Sequence, residues 1–202
     1  MKTATYTIAL LLSLVTISAN SAFATNKDNT VTILAEAKKF NAIEVRGNVE
    51  VYLTSGDEDQ VKVNANYYGQ SALVQNQNGI LRISSYTKEA LVVYVTAEDL
   101  RSLSVYDNAF VKSGKGFSAL ELDVKLFDNA TAKLELNAYN ANINVNDRAK
   151  MDLAGTVTNC DMQMNQSSTV NSTNFVAERI NKKVNNVVIA QVAKNDQELV
   201  IL

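Results

Sequence analysis

The sequence contains no histidine, no proline, no tryptophan and a single cysteine, Cys160. The absence of histidine removes imidazole acid-base catalysis and the usual nitrogen ligands of zinc. One cysteine excludes an internal disulfide framework, and Cys160 falls at an apolar position, where we expect a small buried hydrophobe. Glycine is sparse while asparagine is frequent. Asparagine tolerates left-handed turn conformations, so this composition favours a β-structure with regular turns.

The N-terminus carries an export signal. Lys2 supplies a positive charge, residues 8–17 form a short apolar stretch, and Ala22-Phe23-Ala24 fits a small-x-small cleavage site. The apolar stretch is too short to favour the alternative of a retained membrane anchor. We predict a signal peptide over residues 1–24, a leader over 25–39 and one domain over 40–202. The protein is then exported to the periplasm, the outer membrane surface or the extracellular space.

Charge gives little indication of a partner. The net charge is −2, and removal of Lys2 with the signal makes it −3. So small a charge, with both signs mixed, predicts no nucleic-acid partner.

One four-residue phrase recurs along the second half of the chain. It reads Tyr-Asp-Asn-Ala at 106–109, Phe-Asp-Asn-Ala at 127–130, Asn-Asp-Arg-Ala at 146–149 and Asn-Gln-Ser-Ser at 165–168. The steps are 21, 19 and 19 residues. A period near twenty indicates stacked repeats, each too small to be stable alone.

Apolar residues keep the same register as the phrase. The rows are Leu103, Val124, Ile143 and Met162; Val105, Leu126, Val145 and Met164; Val111, Ala132, Met151 and Val170; and Leu122, Ala141 and Cys160. Alternation with polar residues within each repeat indicates strands with one buried face. The sequence therefore predicts an all-β, β-helix-like parallel solenoid with coils of about 20 residues.

Both ends of such a stack need covering, because open strand edges invite association. Alternating strands over residues 40–100, including an Asn-Gly turn at 78–79, are expected to cover or extend one end. Residues 184–193 and 199–202 predict a C-terminal hairpin that caps the other end. An uncapped end would support a homo-oligomer through the solenoid ends.

Residues 40–53 (FNAIEVRGNVEVYL), followed by Val61-Lys62-Val63, the strand at 91–95 and the repeats, resemble the bacterial head GIN domain family. This is an auto-transporter adhesin domain of unknown function. The resemblance covers roughly residues 40–200 and implies a right-handed β-helix-like fold on an exported protein. The family's usual Gly-Ala-Ser turn is replaced here by Asp-Asn-Ala, Asp-Arg-Ala and Gln-Ser-Ser. No catalytic or binding residues are carried over.

Three aspartates of the recurring phrase, Asp107, Asp128 and Asp147, are expected on one line, about 5 Å apart. They could form a Ca²⁺ site or an acidic strip that grips a sugar chain beside Arg148. The alternative is that each aspartate caps its turn by accepting backbone N–H bonds, which turn chemistry alone explains. Apart from this Ca²⁺ hypothesis the sequence predicts no cofactor and no catalytic residue.

Tyr106 and Phe127 precede the turn aspartate in consecutive repeats and are expected to stack outward. With Arg148 they form a candidate binding surface, since aromatic strips bind carbohydrate or protein partners. The alternative is that they cover the corners of the coils.

The sequence favours an exported cell-envelope protein with a non-catalytic structural or adhesive role. Its partner is unspecified; an envelope polysaccharide or a surface protein would suit such a role. The alternative is a polysaccharide-binding or polysaccharide-cleaving β-helix protein that uses the aspartate line. A small-ligand carrier is a third class, without a cavity signal.

Overall fold

The computed structural model describes residues 31–34, 39–64 and 72–185, and the regular structure in these ranges is entirely β-strand. The all-β prediction is therefore confirmed. The predicted signal peptide, residues 25–30 and 35–38 of the leader, and all but the first two residues of the predicted C-terminal hairpin lie outside the described residues. In the ranges that the structure describes, no helix has the length and hydrophobicity needed to cross a membrane.

The described residues form thirteen strands in chain order. They are β1 (Val31–Leu34), β2 (Ala42–Gly47), β3 (Val49–Ser55), β4 (Gln60–Asn64), β5 (Ala72–Gln77), β6 (Ile80–Ser85), β7 (Leu91–Ala97), β8 (Ser102–Val105), β9 (Phe110–Ser113), β10 (Phe117–Leu126), β11 (Thr131–Val145), β12 (Lys150–Asn165) and β13 (Thr169–Asn185).

All thirteen strands belong to one curled, mixed sheet. Its order is β1-β4-β7-β3-β9-β11-β10-β8-β2-β6-β5, and β12 and then β13 continue from β11. The long strand β11 turns a corner, because its buried positions change phase from even to odd numbers between Leu136 and Ala141. This corner divides the sheet into two faces around a common core. Face A contains β9 and residues 131–136, 150–157 and 169–177; face B contains β8 and residues 122–126, 141–145, 160–164 and 180–184.

The predicted apolar rows are observed as parallel strand pairs. On face B, Leu103 pairs with Val124, Val124 with Ile143, and Ile143 with Met162. A second row pairs in the same way two residues further along each strand; it consists of Val105, Leu126, Val145 and Met164. Residues one repeat apart therefore lie one strand spacing apart, about 4.8 Å. We call each repeat, with its strand segments on the two faces, a layer.

Residues 42–97 extend the same two faces but not in chain order. β2 lies between β6 and β8 on face B, and β3 lies between β7 and β9 on face A, with all four pairings parallel. β1, β4 and β5 are antiparallel, and β5 joins β6 through a two-residue turn with positive φ at Asn78 and Gly79. The parallel β-helix-like solenoid expected over 40–202 is not confirmed, because these antiparallel pairings depart from it. Apolar alternation specifies which side of a strand is buried, but not which strand lies beside it.

The core is continuous from layer to layer. Its largest fully buried side chains include Phe117, Leu122, Leu126, Leu136 and Ile143. Gly155 occupies a core row at φ +99°, and a Cβ there would collide with the carbonyl oxygen of Leu136. Glycine is required at this position because both its backbone conformation and its close contact exclude a side chain.

Cys160 is buried at 3% exposure between Ala141 and Ile180, as the sequence predicted. Burial raises the pKa of its thiol to about 11, with a smaller contribution from the nearby negative charge of Asp161. The thiol is therefore protonated at neutral pH and behaves as a core side chain.

Replacing Leu126 by alanine should lower the free energy of unfolding by about 3 kcal/mol, because this fully buried side chain leaves a cavity in the shared core. Leu120, on the same strand but 77% exposed, is the matched control, and L120A should change stability by less than about 0.5 kcal/mol. Urea unfolding followed by circular dichroism measures both. Equal effects of the two substitutions would contradict the assignment of the core rows.

Candidate functional site

The recurring phrase forms a ridge of stacked turns where face B passes into face A. In each turn the fourth residue donates its N–H to the carbonyl of the first, at 3.2 Å for Ala109, 3.0 Å for Ala130 and 3.1 Å for Ala149. The second residue has positive φ: 59° at Asp107, 57° at Asp128 and 53° at Asp147. Left-handed geometry in these turns is thus adopted by aspartate, whereas the composition had suggested asparagine. Positive φ only at the first central residue is a feature of type II′ turns.

The three aspartates lie in one row, as predicted, and each one holds the backbone of a neighbouring layer. An Oδ2 atom of Asp128 accepts the N–H of Asp107 at 3.1 Å, and Oδ2 of Asp147 accepts the N–H of Asp128 at 2.9 Å. The Asp107 carboxylate accepts the N–H of Gly47 at 2.9 Å. Gly47 also has positive φ, so the row reaches into the N-terminal half of the domain. The capping alternative anticipated a bond within each turn; the bond observed runs between turns.

This arrangement uses one oxygen of each carboxylate for backbone hydrogen bonds. Within residues 31–34, 39–64 and 72–185, no group of three or more Asp, Glu, Cys or His side chains could hold a metal ion. The Ca²⁺ hypothesis for Asp107, Asp128 and Asp147 stays a prediction.

The aromatic side chains of the ridge are stacked. The rings of Tyr106 and Phe127 lie 4.9 Å apart with an interplanar angle of 6°. Arg46 belongs to β2, the strand that neighbours β8. Its guanidinium carbon lies 3.7 Å from the centroid of the Tyr106 ring. Such a cation–π contact stabilises the stack and covers Tyr106 on that side. Arg46 was not predicted, because its position beside Tyr106 depends on the insertion of β2 next to β8.

Arg148 lies in a different row of the ridge from the aspartates. Its Nε donates to Oδ1 of Asn129 at 2.9 Å, and Nδ2 of Asn129 donates to Oδ1 of Asn108 at 3.4 Å. The predicted trio of Tyr106, Phe127 and Arg148 therefore shares the ridge, but Arg148 extends a ladder of asparagines and not the aromatic stack. Whether the trio binds a partner stays a prediction.

A polar groove crosses face B and was not predicted. Its volume is about 290 Å³. One side is a row of carboxylates and amides in which Asn142 donates to Asp123 at 2.8 Å and Asn181 donates to Asp161 at 3.0 Å. The other side is the row of Lys125, Asn144, Gln163 and Lys183. The sequence did contain a signal for this groove: polar residues lie between the apolar rows and recur with the same period.

The sequence matches one protein family. The family is described as "Putative auto-transporter adhesin, head GIN domain", and the match spans residues 39–196. The chain belongs to this family. The resemblance seen in the sequence is therefore confirmed. No curated protein matches the sequence.

Solved structures with a similar fold include three from Bacteroides and Parabacteroides species. A putative adhesin from Bacteroides fragilis has a TM-score of 0.66 at 15% identity, over 78% of this chain and 76% of that one. A putative adhesin from Parabacteroides merdae has a TM-score of 0.58 at 14% identity, over 76% of each chain. A protein from Parabacteroides distasonis named as a putative lipid binding protein has a TM-score of 0.58 at 11% identity, over 76% of this chain and 77% of that one. At these identities the likeness shows a shared fold alone.

Substitutions at Asp128 separate the two roles of this residue. D128N keeps a side-chain acceptor and tolerance of positive φ, so stability should fall by less than about 0.5 kcal/mol. D128G keeps only the backbone freedom and should cost about 1 kcal/mol. D128A loses both and should cost about 2 kcal/mol. Thermal or urea unfolding measures the series, and an alanine variant as stable as wild type would contradict the role of the Asp128 carboxylate.

Addition of millimolar Ca²⁺ should leave the melting temperature unchanged, because the aspartates of the ridge already bind backbone N–H groups. The measurement is a thermal shift with Ca²⁺ and with a chelator. A Ca²⁺-dependent rise that D128N abolishes would instead establish a metal site at the ridge.

Proposed function

We propose that the protein is exported to the cell envelope and acts there as a non-catalytic adhesin that contacts an envelope polysaccharide through the groove of face B. Export is supported by Lys2, the apolar stretch at 8–17 and the Ala22-Phe23-Ala24 motif. It is also supported by membership of a family described by the term adhesin.

The second half of the chain suits a rigid display surface. From Ser102 onward the strands pair in parallel. The offset is 21 residues for β8 with β10, 19 for β10 with β11 and for β11 with β12, and for β12 with β13 it changes from 19 to 20 at a bulge between Asp152 and Ala154. This supports the proposal that residues 102–185 wind as a right-handed β-helix-like solenoid. Each layer then repeats the outward side chains of the one before at a fixed spacing, about 4.8 Å. An extended polymer with its own repeat is the ligand that such a surface fits best.

The groove is the single observation that carries the choice of ligand. Its asparagine and glutamine amides both donate and accept hydrogen bonds, which suits the hydroxyl groups of sugars. Lys125 and Lys183 stand at opposite ends of one row and suit acidic substituents on the sugar chain. The groove runs across layers, so successive sugar units would meet successive layers.

A non-catalytic role is supported by what the carboxylates already do. The aspartates of the ridge bond to backbone N–H groups, and Asp123 and Asp161 accept bonds from asparagine amides. The contact with a sugar chain would therefore be binding alone.

The double variant K125A/K183A should weaken binding to acidic polysaccharide purified from the producing organism by about tenfold, since each lysine contributes one charge-assisted contact. The matched control K115A/K150A removes two exposed lysines outside the groove and should bind like wild type. Affinity is measured by calorimetry or biolayer interferometry. Both variants should leave the polysaccharide chain length unchanged after long incubation.

Three outcomes would overturn the proposal. Equal loss in the groove variant and in its control would show that binding is a general charge effect and not a property of the groove. Shortening of the polysaccharide by wild type but not by D128N would favour the cleaving alternative. A protein that binds no envelope polysaccharide but captures one surface protein would place its role in protein–protein adhesion.

A further inference from the structure

The stack ends in β13, a strand of 17 residues that pairs with β12 on one side. Among the described residues no strand pairs with its other side. The opposite end of the sheet is different, since it finishes in the antiparallel strands β1, β4 and β5. A long free edge of parallel strands carries a row of backbone donors and acceptors that can pair with another strand.

The apolar core is also open at β13. Ile180 continues the row of Cys160 and Val184 continues the row of Met164, yet they are 53% and 52% exposed. On face A, Phe175 and Ala177 lie over Gly155 and Val157 and are half-buried. These are core positions by register, and within the described part of the chain no further layer covers them as it covers the same rows elsewhere. Exposed apolar surface of this kind marks an interaction site.

The charges of β13 restrict what can cover it. Glu178 and Arg179 occupy the corner between the two faces, and Lys182 occupies a core position above Met162. A further parallel layer would bury Lys182 among apolar rows, which is costly without a partner. The occupant must therefore place an acidic group near the corner. It must also place a group that can lie against the ammonium of Lys182 without a large desolvation cost.

We propose that β13 pairs in antiparallel fashion with β13 of a second copy of this chain, across a two-fold axis through the corner at Glu178 and Arg179. The axis places the face A part of β13 in one copy opposite the face B part of β13 in the other copy. Face A of one copy then continues into face B of the other. Inward side chains stay inward, and the two open cores become one.

The strand is self-complementary in this register. Glu178 of each copy lies opposite Arg179 of the other, which makes two equivalent ion pairs. Ala177 lies opposite Ile180 of the second copy, which covers the exposed core row. Phe175 lies opposite Lys182 of the second copy, and an aromatic ring is a favourable neighbour for an ammonium group.

A contact of this kind closes on itself. Each copy uses its only long parallel edge within the described chain, and the same surface is used by both copies. The product is a dimer and not a growing fibre, and Lys182 disfavours the head-to-tail stacking that would produce one. The groove also uses Asn181 and Lys183 of β13, but Glu178 and Arg179 do not line it, so substitutions at these two residues test this inference separately from the polysaccharide contact.

Charge exchange across the axis tests the register directly. In E178R two arginines would face each other twice, and in R179E two glutamates would do so. Each single variant should raise the dimer dissociation constant by at least about tenfold. The double variant E178R/R179E restores opposite charges and should return the constant to near the wild-type value. The measurement is analytical ultracentrifugation of residues 25–202 over a wide concentration range.

Two exposed charges away from β13 provide the matched control. E58R/K115E should dimerise like wild type, and circular dichroism with a melting curve should show that every variant is folded. If one single variant does not fold, the other single variant and the double variant still decide. A monomer at all concentrations would overturn the proposal and indicate that residues 186–202 or another protein covers the end. A dimer that neither single variant weakens would also overturn it, because the contact would then lie elsewhere.

Discussion

The structure depends on the registration of each layer against the next, and the ridge of turns is where this registration is set. At the ridge, a residue with positive φ places its N–H against a carboxylate of the following layer. Backbone bonds between the same turns run alongside, from Asn129 to Asp107 and from Arg148 to Asp128, both at 2.9 Å. A slip of one residue would move every apolar side chain to the outer face, so a fixed turn protects the whole core.

On the outside of the stack, hydrogen bonds between polar side chains also hold each layer in register with the next. Asparagine recurs because an amide donates to the layer below and accepts from the layer above, so that equal residues can stack without like-charge repulsion. Asn159 donates to Asn140 at 2.9 Å and accepts from Arg179 at 2.7 Å in one such ladder. The rarity of glycine is consistent with this design, since aspartate supplies both the left-handed turn and the link between layers.

The recurring phrase and the apolar rows allowed much of the second half to be predicted from sequence. The pairing of Val105 with Leu126 and Val145 and the burial of Cys160 follow from a period near twenty combined with alternation. The first half could not be derived in this way, because β2 and β3 carry the same alternation wherever they pair. Arg46 beside Tyr106 and the groove of face B depend on neighbours distant in sequence, which explains why neither was anticipated.

By itself the sequence determined that the chain is all-β, that residues one repeat apart lie in rows, and that the turn aspartates share one line. Local periodicity suffices for these features, because each follows from side-chain alternation and a fixed step. Only the tertiary structure decided the order of the layers, the direction of the aspartate bonds between turns and the open core at β13. These depend on which strands become neighbours, a choice made by the collective burial of apolar surface and not by any single segment.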